Sequence, residues 1–194
     1  MPSLKGRSIW MAVAALWLVA VSTIFTTVSL VMVGTPVARL ALIAVIVAVI
    51  AYLAIGVGTI RALRRSPGAI PPRTPEHRLM LRRYAYVVIA EVAAIMVANI
   101  VCAVMRRVEL IVPLDLLIVG IHFLPLASIF RMPRYYTMGA LFCIVCLGTV
   151  MLIPARVQVG AAASWFVIPT FGCTAVAWAT AAFNLREARE YLRS

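Results

Sequence analysis

Apolar residues run along this chain in six long blocks, at 9–33, 36–63, 84–105, 110–130, 137–153 and 163–185, with no polar stripe and no alternation within them. Alternate apolar positions would mark a half-buried strand, and a spacing of three to four the buried face of a soluble helix. These blocks follow neither pattern. A helix needs roughly 20 consecutive apolar residues to cross a hydrocarbon core of about 30 Å, whereas a barrel strand needs only about 9–11. The pattern therefore predicts an all-α fold, an integral membrane bundle of six transmembrane helices forming one membrane domain over residues 1–194.

Most connections between blocks are tight, so spans one and two, three and four, and five and six are expected to pack as antiparallel hairpins. One connector is longer, residues 64–83, with SPGAIPPRTPEH at its centre. Proline removes a backbone donor and disfavours helix in the residue before it, so this segment reads as irregular.

Composition agrees with the pattern. The chain is 64% hydrophobic and 12% charged, against about 45–50% and about 25% in soluble domains. The formal net charge of +12 would suggest nucleic acid if the basic residues formed one face of a folded domain. They stand instead in short clusters between apolar blocks, which argues for no nucleic acid partner. Alternating the blocks across a bilayer puts 14 Lys and Arg on the side of the termini and four, Arg39, Arg106, Arg107 and Arg156, on the other. The positive-inside rule then places both termini in the cytoplasm. The first block, preceded by Lys5 and Arg7, is too long for a cleaved signal peptide and reads as a retained span.

Trp10, Tyr84, Tyr86, Tyr135 and Tyr136 fall where an interfacial aromatic belt would stand. Trp17 and Trp178 fall deeper and are expected to pack between helices.

Candidate chemistry lies in the ionisable residues inside the spans, each costing about 2.5–3.5 kcal/mol to place there. Glu91, Asp115 and His122 qualify; Glu109 sits at a span end beside Arg106 and Arg107. Glu91 is seven residues from Tyr84, and His122 is eight from Phe130, roughly 10 and 12 Å along adjacent antiparallel helices. Asn99 and Asp115 are each fifteen residues from the same reference positions. This arithmetic predicts a two-rung polar ladder between spans three and four, Glu91 with His122 and Asn99 with Asp115. Ala90, Ala94, Ala98 and Cys102 form a small-residue ridge beside it, which would let a neighbour approach closely. Pro113, Pro125 and Pro169 are candidate hinges, because each leaves a carbonyl one turn earlier without its donor.

A ladder of this kind has two readings. Carboxyl groups in lipid can stay protonated and serve as struts between helices, or they can line a path for protons or ions. Metal binding is disfavoured by the spacing, since one His and two carboxylates lie at two levels. No cofactor is implied.

Cys143 and Cys146 have the C-x-x-C spacing of thiol oxidoreductases, but the surrounding FCIVCLG is mid-span and apolar. Reactive thiols need an electropositive, partly exposed setting. These two, with Cys102 and Cys173, read as small packing residues. Span six holds Ser164, Thr170, Gly172, Thr174, Thr180 and Asn184, expected to bond their own backbone or a neighbouring helix.

Residues 120–141, GIHFLPLASIFRMPRYYTMGAL, resemble a motif of small, uncharacterised bacterial membrane proteins with a His-Phe-Leu-Pro-Leu-Ala core. The resemblance implies a bacterial cytoplasmic (inner) membrane location and no catalytic activity.

Three functions are compatible with these features. The first is a small-solute or proton-linked transporter or channel using Glu91, Asn99, Asp115 and His122. The second is a non-catalytic accessory subunit or sensor whose buried polar residues are structural. An enzyme comes third, since no nucleophile and base pair is visible. The implied partners are the lipid bilayer, with anionic lipid at the basic loop 64–83, and a second copy or a partner membrane protein on so thin a bundle.

Overall fold

The computed structural model describes residues 4–65, 75–190 and 192. Each apolar block lies in a helix: α1 (Leu4–Val33), α2 (Pro36–Arg65), α3 (Pro75–Val104), α4 (Ile111–Phe130), α5 (Arg134–Leu152) and α6 (Ser164–Glu190). All six are long and apolar enough to cross a membrane. Ring contacts of Phe130 with Tyr84 and with Trp10, at 5.8 and 6.5 Å between centroids, bring the start of α1, the start of α3 and the end of α4 to one end of the bundle.

Helix ends differ from the apolar blocks where polar sequence is itself helical. α3 starts at Pro75, nine residues before the apolar block, so much of the expected irregular connector is helix. Proline at the first helical position forfeits no bond, and the Arg and Leu that follow are good helix formers. Most of the remaining connector, residues 66–74, lies outside the described residues. α6 likewise runs on to Glu190, where Arg186 and Glu190 pair across one turn at 2.9 Å. The turn between α5 and α6 holds strands β1 (Gln158–Val159) and β2 (Ala162–Ala163), paired antiparallel, which apolar blocks alone do not foretell. Gly160 there has φ +63°, and a Cβ on it would lie 2.5 Å from the Val33 carbonyl oxygen. That carbonyl, at the end of α1, accepts a bond from Ala161 N–H at 3.3 Å.

The hydrophobic core is built by α1, α4, α5 and α6, with Leu63 as the one buried contribution from α2 and none from α3. α6 packs against α1, α4 and α5, and α4 against α5. α2 covers the outside of α1, and α3 the outside of α4. The outer faces of α2 and α3, such as Val37, Leu40 and Ile46 or Ile89, Val97 and Val104, are exposed. These are the surfaces lipid solvates.

Two devices set the helix spacing. Where α4 crosses α5, Gly120 faces Gly139 so closely that a Cβ on Gly139 would stand 2.6 Å from the Gly120 carbonyl oxygen. Such contacts between backbones add dispersion attraction where lipid supplies no hydrophobic drive. Between α1 and α6 the device is polar. Thr26 donates to Thr174 at 2.8 Å, and the Trp178 indole N–H to Ser22 Oγ at 3.0 Å. Tyr52 of α2 adds a bond to the Trp178 carbonyl at 3.1 Å. Trp178 therefore packs between helices as its depth predicts, but Trp17 does not: it is 68% exposed on the outer face of α1. Trp178→Phe keeps the ring and loses the donor. It is expected to lower stability by about 0.6–1.7 kcal/mol, read as a shift in the detergent unfolding midpoint.

Trp10, Tyr84, Tyr86 and Tyr136 are exposed near the ends of the apolar blocks, whereas Tyr135 is buried and leaves the expected belt. Pro113 falls in the first turn of α4. The first four amides of a helix have no partner within it, so this proline removes no bond and makes no hinge. Pro125 and Pro169 do lie inside helices, and both helices continue through them.

Candidate functional site

The side chains that lipid most penalises meet along the seam of α3 and α4. Glu91 Oε1 is 3.2 Å from His122 Nδ1, and the two side chains are 15% and 12% exposed. One level further along, Asn99 Nδ2 donates to both carboxylate oxygens of Asp115, at 3.2 and 3.3 Å. Both pairs that residue counting puts at equal depth are in contact. The reason is geometric: Tyr84 and Phe130 meet edge to face at one level, and two helices with the same rise stay in step from there.

The face of α3 that meets α4 is the polar line itself. Val87, Glu91, Ile95, Asn99 and Cys102 are partly or wholly buried, while Ala90 and Ala94 of the small-residue ridge are exposed. The small-residue ridge is therefore split: Cys102 is buried and Ala98 partly so, whereas Ala90 and Ala94 face outward and seat no helix. Desolvating two polar pairs ranks above close backbone approach, because an unpaired carboxyl or imidazole in hydrocarbon costs more than the contacts a small-residue ridge supplies.

Around His122 three atoms compete for one proton. Nδ1 faces Glu91 Oε1 and also the Val119 carbonyl oxygen, again at 3.2 Å. With Glu91 ionised, Nδ1–H is shared between the Val119 carbonyl and the carboxylate and the pair carries one negative charge; with one proton more, the Glu91 carboxyl donates to Nδ1, the imidazole carries its own proton at Nε2 and the pair is neutral. The pair can thus take up one proton and release it, changing between one negative charge and none. The Phe123 ring, 4.7 Å from the imidazole, closes its other side. The second rung is more static: Asp115 receives both its bonds from one amide, and Asn99 Oδ1 is buried without a partner.

A second polar cluster escaped the reading of the sequence. Asn184 of α6, fully buried, accepts a bond from Arg134 Nη1 at 2.9 Å and donates to the Tyr135 hydroxyl at 3.4 Å. Arg134 also forms an ion pair with Glu187. Counting Arg134 as a loop charge hid this, although Asn184 and Glu187 stand three apart on one helical face. Glu109 pairs with Arg107 at 3.3 Å, outside the ladder.

All four cysteines are free. Cys146 Sγ lies 3.9 Å from Cys173 Sγ across the α5–α6 contact, a thiol contact between helices that the C-x-x-C spacing does not foretell. Thr170 and Thr180 bond their own helix, to the carbonyls of Phe166 and Val176. Among the described residues no three His, Cys, Asp or Glu side chains converge as metal ligands.

Six apolar spans with polar pairs in the seams between them define a multi-pass helical membrane protein. No protein-family model matches the chain, and no curated protein and no solved structure is significantly similar to it.

Proposed function

We propose that the chain is a small proton-linked transporter or channel of the bacterial cytoplasmic membrane, with both termini in the cytoplasm. The excess of Lys and Arg beside the termini supports that orientation. The observation that carries the functional reading is the direct contact of the Glu91 carboxyl with the His122 imidazole inside the membrane. A carboxyl beside an imidazole can take up and release a proton, the imidazole N–H supporting the carboxylate when the proton has left, and ionisable groups at that depth mark proton or ion paths. The helix that carries Glu91 suits movement, since α3 is held chiefly by α4 and is otherwise little buried.

The test is proton flux into liposomes under an imposed potential, for the native protein and for Glu91→Gln matched in folded yield. The expected result is flux in the native protein that falls to the rate of empty liposomes in the variant. Equal or absent flux in both rejects the proposal.

A second reading has its own support: each rung bridges α3 and α4 across the seam that fixes α3 in place. In that case the ladder is a pair of struts and the protein an accessory subunit or sensor. Glu91→Gln would then shift the unfolding midpoint without any flux to lose, and a partner membrane protein would co-purify.

A further inference from the structure

Between α2 and α6, away from the ladder, lies a groove of about 710 Å³, within the range of roughly 300–1,000 Å³ common to ligand sites. α2 leans on α1, burying Gly56, Thr59 and Leu63, and touches α6 mainly where Tyr52 meets Trp178. Beside that contact the facing positions Ala51 and Ala182 are too small to close the gap.

The groove changes character along its length. Ala51, Tyr52 and Ile55 make an apolar wall inside the span, and Arg186, Arg189 and Glu190 line it at the end of α6. Ala182 and Arg189 are seven residues apart, so the change takes place over roughly 10 Å. Glu190 is engaged by Arg186 at 2.9 Å. Arg189 has no side-chain partner among the described residues, leaving the groove one net positive charge. It is lined on one side by α2, the least buried helix together with α3.

We propose that this groove holds an anionic phospholipid, with the phosphate at Arg189 and Arg186 and an acyl chain along Ala51, Tyr52 and Ile55. The occupant follows from the two chemistries in sequence: a soluble anion leaves the apolar wall bare, and a zwitterionic lipid leaves the net charge unmatched.

The experiment is native mass spectrometry of the protein in detergent, offered phosphatidylglycerol and phosphatidylcholine in equal amounts. A basic side chain at an anionic headgroup is worth about fivefold in binding. Phosphatidylglycerol should therefore be retained at least about fivefold over phosphatidylcholine. The double variant Arg186→Gln with Arg189→Gln should bring that ratio to about one, whereas Arg83→Gln with Arg131→Gln, removing the same charge from the same end of α3 and α4, should leave it unchanged. Ala182→Phe fills the groove from an exposed position and should lower the retention of both lipids.

Equal retention of the two lipids by the native protein overturns the proposal, as does a ratio that falls equally in both double variants. Unchanged retention in Ala182→Phe overturns it even if the arginine variant does not fold. Inorganic phosphate that displaces phosphatidylglycerol from the native protein would identify a free-anion site and overturn the lipid assignment.

Discussion

Replacing Gly139 by leucine should abolish most of the folded yield, the largest effect expected of any single substitution in this chain. The Cβ alone would stand 2.6 Å from the Gly120 carbonyl oxygen and 3.1 Å from Leu124 Cδ2. The side chain of Leu124 can turn aside; a carbonyl in the middle of α4 cannot. α4 would have to move outward, and α4 carries α3 with it, because α3 has no other extensive contact. Gly139→Ala should cost about 1–3 kcal/mol and Gly139→Leu more than that, measured as monodisperse yield and unfolding midpoint. Gly148 is the control, since a Cβ there meets nothing within 4 Å, and Gly148→Ala should be neutral. Equal effects at the two glycines would mean that the α4–α5 crossing is not set by backbone contact.

The second large effect is expected at Asn184. Leucine has nearly the same volume, so Asn184→Leu removes polarity with little change in packing. It deprives Arg134 of the acceptor at 2.9 Å and the Tyr135 hydroxyl of a donor, at a position with no exposed surface. Breaking one side of a buried hydrogen bond costs about 1–3 kcal/mol. Arg134 keeps its ion pair with Glu187 and is 28% exposed, which holds the loss toward the lower part of that range. Asn184→Leu with Arg134→Met should lose less than the sum of the two single changes, because each single variant strands the other partner. Strict additivity in that cycle, read from unfolding midpoints, would show that the two residues are not coupled.

Residue counting reached the ladder because both of its rungs depend on one quantity, the rise per residue, taken from references that meet at Tyr84 and Phe130. It could not reach the Asn184 cluster in the same way. Arg134 opens α5 from what reads as a polar turn, and its reach to α6 depends on how α5 and α6 are rotated about their axes. The ridge of Ala90, Ala94, Ala98 and Cys102 was informative only at its second half for a related reason: a row of small residues permits close approach without choosing which neighbour comes. Tyr135 and Tyr136 make the point on adjacent positions. Both read as interfacial, yet one is buried against Asn184 and the other is exposed, as helix rotation demands of neighbours about 100° apart.

By itself the sequence determined that this is a membrane protein of six helices and set the depth of each polar group within them. Those are local properties, because lipid offers no partner for backbone amides and carbonyls, and an apolar segment must satisfy them within its own helix. Tertiary structure alone decided that α2 and α3 lie outermost, that Cys146 meets Cys173, and that Arg134 reaches Asn184. Lipid tails are as apolar as the side chains they solvate, so hydrophobicity does not select which faces meet. Shape and a few polar pairs make that choice, and they act only once the helices are side by side.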